Sequence, residues 1–156
     1  MGTGAKIEGD RRVRQLLTEM ADRTRGIEPQ VWAKVGDVLA EHLERQFLTE
    51  GSHLTGHPWA PLSPPYLAWK VKHGFDPRIL RQTGAMHKSF TSRPFPIEQY
   101  RDMSAEFASD DDKAAWHQHG TRFMPERRII DVDANPDLAD DVNSVLARYI
   151  FEERLS

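Results

Sequence analysis

The sequence predicts a single α+β domain in which a small antiparallel β-sheet packs against two long amphipathic helices, with additional short helices. Three observations lead to this prediction. Two long segments carry apolar residues at helical spacing, a middle region has brief strand-like patterns, and the 156 residues suffice for one core but not for two. We therefore treat residues 1–156 as one domain, of which residues 1–9 are expected to be disordered.

The first half of the chain is predicted to begin with two amphipathic helices. A short one covers residues 10–25 and ends at Gly26, because its apolar side chains recur at spacings of three and four. A longer one begins near Pro29, whose fixed φ suits a first helical turn, and is closed by Gly51. The apolar stripe of the longer helix consists of Val31, Val35, Val38, Leu39, Leu43 and Phe47.

The segment 52–65 is predicted to be a long loop, because its prolines are incompatible with regular helix or a central strand. Ser63 is expected to cap a short helix that begins at Pro64 and ends before Gly74.

Residues 87–107 change to short runs with β-branched or aromatic residues, which predict two or three antiparallel strands. These runs are 89–91, 95–97 and 105–107. The aspartates at 110–112 are expected to cap a short helix that reaches Trp116.

The last third ends in a clear helix signal. Residues 129–132 are predicted to form one more strand, and Asn135 is a good N-cap for a helix that begins at Pro136. The apolar face of this final helix consists of Leu138, Val142, Val145, Leu146, Tyr149 and Ile150.

Several kinds of chemistry find no support in the sequence. The chain has no cysteine, which excludes a disulfide framework, a thiolate metal site and a thiol nucleophile. It also lacks a nucleophile elbow and a glycine-rich phosphate loop, so we predict no enzyme activity and no cofactor. No apolar run approaches the roughly 18 residues of a membrane span, and no secretory signal is visible. We expect a soluble protein that is made in the cytoplasm and does not contact a membrane.

Two alternatives to a structural role stay open at this stage. His53 and His57 lie four residues apart, and His117 and His119 lie two apart, so a zinc-dependent hydrolase is one alternative, although surface histidines explain the pattern more simply. The other is a DNA-binding module. A net charge of −3 gives no general attraction to DNA, so such a module would need a local basic patch.

Charge is distributed unevenly along the chain. Residues 66–101 contain seven basic and two acidic side chains, whereas residues 131–156 contain two basic and seven acidic ones. These regions are either complementary edges that attract each other between neighbouring subunits or two solvated faces.

The four tryptophans are heavy apolar anchors that belong either to the core or to contacts between subunits. Trp59 is the best candidate for a subunit contact, because it lies in the predicted loop.

Four short motifs occur in a recognisable order between the long helices. They are GHPWAPLS at 56–63, ILRQTGAMHKSF at 79–90, AWHQHGT at 115–121 and MPERRII at 124–130, with a lysine at position 70. This order resembles the Mu-like phage virion morphogenesis family over roughly residues 10–155. The residues that carry the resemblance are Trp59, Leu62, Lys70, Leu80, Thr83, Gly84, Ser89, Trp116, His117, Gly120, Pro125 and Arg127.

The resemblance implies a structural protein of a tailed phage or prophage that joins head and tail or completes the tail. Such a subunit is expected to form a homo-oligomeric ring, with six copies expected, and to contact a tail terminator, connector or head-closure protein. Phage DNA would pass through the ring without sequence-specific binding. The expected location is the head-tail junction or the upper tail of the virion, and the host cytoplasm during assembly.

The motif residues have plausible structural tasks. Thr83 and Gly84 are expected to form a tight helix-to-strand turn. Pro125 is expected to fix the start of a strand, and Arg127 to bind a carboxylate on the last helix or on a neighbouring subunit, unless both only hold the monomer together. We expect Trp59→Ala or Arg127→Ala to leave a folded monomer that cannot complete particles.

Overall fold

The computed structural model describes residues 9–131 and 133–151. The expected disorder of residues 1–8 therefore lies outside the described residues, while Gly9 already begins the first helix. The elements in chain order are α1 (Gly9–Arg25), α2 (Pro29–Leu48), α3 (Ser52–Thr55), α4 (Pro64–Lys72), α5 (Ala85–Thr91), β1 (Ile97–Arg101), β2 (Ser104–Ala108), α6 (Lys113–His119) and α7 (Pro136–Phe151). The α+β class with a small antiparallel sheet is confirmed.

Helix α2 is the centre of the domain. Four of the six residues of its apolar stripe are buried, and Val31, Leu43 and Phe47 are each 1% exposed, whereas Val38 and Leu39 are half-buried. The helix packs against α7, α5 and α3 and touches β1. The ring of Phe47 lies 5.4 Å from that of Trp59 and 6.2 Å from that of Phe90, so one side chain links three parts of the core.

Helix α7 is the second long helix, and its start follows the sequence signal. The Asn135 side chain accepts a hydrogen bond from the Asp137 N–H at 2.8 Å, which satisfies one of the free donors of the first turn. Leu138 and Tyr149 are the buried residues of its inner face. None of the described helices is long and apolar enough to cross a membrane.

Helix α1 is attached to the end of α7. The guanidinium of Arg23 donates to the carbonyl oxygens of Tyr149 and Ile150 at 2.9 and 3.1 Å. These carbonyls belong to the last turn of α7, where a cation is favoured. The apolar stripe of α1 stays half-exposed.

The two strands form a β-hairpin in which Ile97 pairs with Ala108 and Arg101 with Ser104. Arg93 fixes the hairpin to α2, because its guanidinium donates to the carbonyl of Ala33 at 3.1 Å. The strand run predicted over 105–107 is thus confirmed, whereas the run predicted over 95–97 overlaps β1 only at Ile97.

Two other strand predictions are wrong. Residues 89–91 belong to α5, because Met86 and Phe90 are four residues apart and bury one helical face. Residues 129–131 form no strand; the N–H groups of Ile129 and Ile130 donate to the side chain of Gln118 instead. Val132 lies outside the described residues.

The predicted long loop contains one turn of helix, α3, at Ser52–Thr55. This turn is stabilised from α2, because the side-chain oxygen of Gln46 accepts the N–H of Leu54 at 2.7 Å. Ser63 does occupy the position before α4, but its side chain makes no capping hydrogen bond.

Candidate functional site: a groove lined by the motif segments

The four motif segments, which are far apart in the sequence, meet around one groove of about 910 Å³. It is bordered by the segment before α4, the segment 80–86, helix α6 and the segment 123–127. Nine of the twelve motif residues line it, namely Leu62, Lys70, Leu80, Thr83, Gly84, Trp116, His117, Pro125 and Arg127. The structure therefore gathers most of the residues that carry the family resemblance into one surface.

The rim of the groove is aromatic and exposed to solvent. Trp116 is 54% exposed and Phe123 is 87% exposed. Tyr66 is also exposed, and its ring stacks on Trp69 at 5.8 Å. Rigid aromatic side chains that stay exposed next to a concave surface are typical of interaction sites. Sequence reasoning missed Tyr66 and Phe123, for which the only signal is a large aromatic residue in a polar neighbourhood.

The floor of the groove contains two cations that are buried. Lys70 is 1% exposed, and its ammonium donates to the carbonyl of Arg78 at 2.8 Å. Arg127 is 7% exposed, and its guanidinium donates to the carbonyls of Ala60 and Pro61 at 2.8 and 3.1 Å. Burial lowers the pKa of both groups, because it penalises the charged form.

The expectation that Arg127 binds a carboxylate within its own chain is wrong for the described residues. No acidic side chain among them lies within 4 Å of its guanidinium, which holds two backbone carbonyls instead. A buried guanidinium can satisfy such carbonyls with its planar fork of donors. Pro125 precedes no strand, since the only pairing nearby is an isolated bridge between Thr121 and Met124.

His117 lies next to Arg127 on the same side of the groove. The N–H of Arg127 donates to the carbonyl of His117 at 2.7 Å. The Nδ1 atom of His117 is buried and has no hydrogen-bond partner among the described residues. Burial lowers the pKa of its imidazole, and the positive charge of Arg127 lowers it further.

Gln118 is a structural residue that sequence reasoning missed. Its side chain accepts the N–H of Ile129 at 2.8 Å and donates to the carbonyl of Ile130 at 2.6 Å. It thereby fixes the segment that carries Arg127 and provides the backbone partners that a strand would otherwise supply. The only sequence signal for a role of Gln118 is its position within the AWHQHGT motif.

The predicted helix-to-strand turn at Thr83 and Gly84 is wrong, because the two residues form a bend that joins an irregular segment to the start of helix α5. Gly84 has a φ of +81°, which residues with a Cβ adopt only at a cost. Thr83 accepts the N–H of Ala85 with its hydroxyl at 3.4 Å. The turn places the start of α5 on the wall of the groove.

Three motif residues lie outside the groove. Trp59 is only 5% exposed, and its indole N–H donates to the carbonyl of Arg128 at 2.7 Å. Ser89 shares a hydrogen bond of 2.6 Å with Ser109. A Cβ at Gly120 would lie 2.9 Å from the backbone nitrogen of Glu126, so this position allows close approach of two chain segments.

The placement of Trp59 corrects the sequence-based expectation. Its ring packs edge-on against Phe47 in the main core. The loop that carries Trp59 is therefore anchored in this core. Of the other three tryptophans, one is buried and two are exposed. Trp32 is buried, whereas Trp69 and Trp116 are exposed.

The histidines do not combine into a metal centre in the part of the chain that the structure describes. No group of three His, Asp or Glu side chains there is placed to hold a metal ion. His53 instead lies 2.9 Å from His42, which lies 2.9 Å from Asp141 on α7. This chain of contacts connects α3, α2 and α7, and burial lowers the pKa of His53.

Comparison with known proteins gives one match. The family model described as "Phage virion morphogenesis family" matches residues 9–147. A search of curated proteins and a search of solved structures gave no match. The matched residues include the groove lining, all of α2 and α7 as far as Ala147.

Proposed function

Because the chain belongs to the phage virion morphogenesis family, we propose that it is a ring-forming subunit that joins head and tail or completes the tail. Membership of the family gives the chain a structural role in building a phage particle. The finer proposal places it at the head-tail junction or the upper end of the tail. Six copies around the tail axis would leave a passage for phage DNA, without sequence-specific contacts.

The observation that carries the proposal is the groove. Trp116 and Phe123 are exposed beside a concave surface, and exposed apolar surface of this kind marks interaction sites. A subunit of a ring needs such a surface to contact its neighbour. Aromatic side chains are also the residues that contribute most to protein interfaces. Expected partners beyond the ring are a tail terminator, a connector or a head-closure protein.

The first experiment removes the gene from a phage that carries it and supplies it from a plasmid. Without the protein, filled heads and tails should accumulate separately or the tails should lack their upper end, as seen by electron microscopy. With the protein, an added density should lie at the neck or the upper tail. Complete particles that lack this protein, or a position elsewhere in the particle, would contradict the proposal.

A matched pair of variants connects the proposal to the groove. Phe123→Ala removes an exposed aromatic ring from the rim, and Phe151→Ala removes one that is 63% exposed at the end of α7. We expect both proteins to fold, but only Phe123→Ala to lower the yield of infectious particles, by about tenfold or more. Equal yields from the two variants would show that the rim of the groove does not contribute to assembly.

A further inference from the structure

Among the residues that the structure describes, the charges of the groove are not balanced. Its lining contains three cationic side chains, those of Lys70, Lys113 and Arg127, and the single carboxylate of Asp111. The guanidinium of Arg127 is bound to two neutral carbonyls, which use two of its five N–H donors. A buried cation without a counter-charge is costly, so the floor of the groove is suited to receive an anionic group.

A second donor site lies beside this cation. The Nδ1 atom of His117 is buried without a hydrogen-bond partner, and the His117 carbonyl is bonded to the Arg127 N–H. An incoming carboxylate has several acceptor positions, so it can satisfy the free N–H groups of Arg127 and an imidazole N–H together. The exposed rings of Trp116 and Phe123 would cover apolar atoms on either side of it.

The same chain carries a segment with the complementary chemistry. Residues 133–141 include Asp133, Asp137 and Asp140, which are exposed and have no ion pair within 4 Å with any described residue. Between the first two, Ala134 and Pro136 are also exposed and offer small apolar surfaces for aromatic rings. The segment is firmly attached, because the Asn135 side chain donates to the carbonyl of His53 at 2.6 Å.

We infer that the groove of one copy receives the acidic segment 133–141 of a second copy, with one aspartate carboxylate seated against Arg127 and His117. This inference rests on the proposed function, because it identifies the contact between neighbouring copies in the proposed ring. Because the groove and the segment are different surfaces of one chain, the contact is head-to-tail, which is the type of contact that closes into a ring. Opposite charge brings the two surfaces together in the correct orientation.

The chain contains no cysteine, so the contact can be tested with introduced disulfides. Ala85 lies on the wall of the groove and Ala134 within the acidic segment, and both are exposed. In particles that contain Ala85→Cys/Ala134→Cys and are treated with a mild oxidant, we expect a ladder of covalent dimers, trimers and larger products. A ladder beyond the dimer requires that each copy is bonded at both positions. The single variants Ala85→Cys and Ala134→Cys can form only bonds between like positions, and they should stay monomeric, so the ladder then reports bonds between position 85 of one copy and position 134 of the next.

The control pair is Ala85→Cys/Ala147→Cys, in which the second cysteine is exposed on α7 away from the acidic segment in sequence. It should give no ladder. Particles that contain the Ala85→Cys/Ala134→Cys protein but yield only monomers, dimers or bonds within one chain would overturn the inference and leave the proposed function intact. Complete, infectious particles that lack the protein would instead overturn the proposed function.

Charge reversal provides an independent test. Asp133→Lys/Asp137→Lys should reduce incorporation of the protein into particles by about tenfold, because the lysines would face the cations of the groove. Asp102→Lys/Glu106→Lys makes the same change of charge at exposed positions of the β-hairpin and should leave incorporation unchanged. Equal incorporation of both double variants would show that the acidic segment is not the occupant.

Discussion

The core around α2 and the groove have opposite arrangements of polar and apolar groups. In the core, Phe47 and Leu43 are buried. In the groove, Lys70 and Arg127 are buried, while Phe123 is 87% exposed. The first arrangement stabilises an isolated subunit, since burial of apolar surface is the main driving force of folding. The second leaves apolar surface in water and the guanidinium of Arg127 without an ion pair among the described residues. It therefore differs from a core and suits a surface that is completed by another molecule.

The two regions nevertheless share one segment of the chain. The carbonyl of Arg128 accepts hydrogen bonds from Trp59 and Gln46, both of which are buried in the core. The preceding residue, Arg127, lines the groove and holds the carbonyls of Ala60 and Pro61. These hydrogen bonds therefore fix the segments that line the groove to the core. Substitutions should consequently separate into those that unfold the subunit and those that only disable its surface.

The largest effect is expected for Phe47→Ala. Deleting this ring leaves a cavity among Trp59, His87 and Phe90, and such losses cost about 3–5 kcal/mol of the free energy of unfolding. Phe123→Ala should change it by less than about 0.5 kcal/mol, because the ring is exposed. Urea unfolding followed by circular dichroism measures both. Similar losses for the two variants would remove the distinction between core and groove.

Trp59→Ala belongs with the core substitutions, contrary to the expectation from sequence. It should destabilise the subunit by about 3–5 kcal/mol through the lost ring and the loss of one of the two hydrogen bonds to the carbonyl of Arg128. Loss of assembly by this variant would therefore carry no information on subunit contacts. Unchanged stability would contradict the placement of Trp59.

A smaller loss is expected for Arg127→Met, which leaves the carbonyls of Ala60 and Pro61 without their donors. The expected cost is about 2–3 kcal/mol, because hydrogen bonds from charged groups are worth about 1.5–3 kcal/mol each and the buried charge is removed at the same time. Arg127→Lys keeps the charge without the planar fork and should be intermediate. If Arg127→Met is as stable as the parent protein, these carbonyl contacts do not hold the segment.

Gly84→Ala should cost about 1–2 kcal/mol, because the residue has a positive φ and a Cβ there meets no atom within 4 Å, so only the backbone is strained. Gly74→Ala is a matched control, with a φ of +72° and equally open surroundings. The two should lose similar stability in urea unfolding, but only Gly84→Ala should also impair assembly, because Gly84 lies on the groove wall. Equal effects on assembly would argue against a specific role of that wall.

The smallest expected effect is on the pH dependence of stability. Burial lowers the pKa of His117, with Arg127 and Lys113 acting in the same direction and Asp111 against them. The unfolded chain therefore binds more protons below about pH 6.5, so stability should fall as the pH decreases from 7.5 to 5.5. His117→Gln should make this decline shallower, and adding His53→Gln should flatten it further, because the pKa of His53 is lowered as well. The measurement is the midpoint of urea unfolding at the two pH values. If His117→Gln and the parent protein lose the same stability between pH 7.5 and 5.5, His117 is not buried in its neutral form.

The long helices α2 and α7 were predictable from sequence because their signals are local. Pro29, Asn135 and the apolar periodicities of α2 and α7 determine starts and inner faces without help from distant residues. The strand predictions at 89–91 and 129–131 failed because short apolar runs do not distinguish a strand from a buried helix or a buried irregular segment. There the outcome depends on a distant side chain, such as Gln118 for Ile129.

The groove was predictable only in part. The family resemblance identified nine of its lining residues, but not that they share one surface, because pairs such as Lys70 and Arg127 meet only after α4, α6 and the segment 123–127 have packed. Phenylalanine is usually buried and arginine is usually exposed. Hydropathy therefore predicts the opposite of the observed exposure of Phe123 and burial of Arg127.

The most direct test of the account compares the solvent accessibility of the groove rim in the isolated subunit and in assembled particles. Hydroxyl-radical footprinting with mass spectrometry reports the oxidation of Trp116 and Phe123 in both states, with the exposed ring of Phe151 as an internal reference. The account predicts that oxidation of Trp116 and Phe123 falls at least about fivefold on assembly relative to Phe151. Equal oxidation of the rim residues in both states would contradict the claim that the groove is a docking surface.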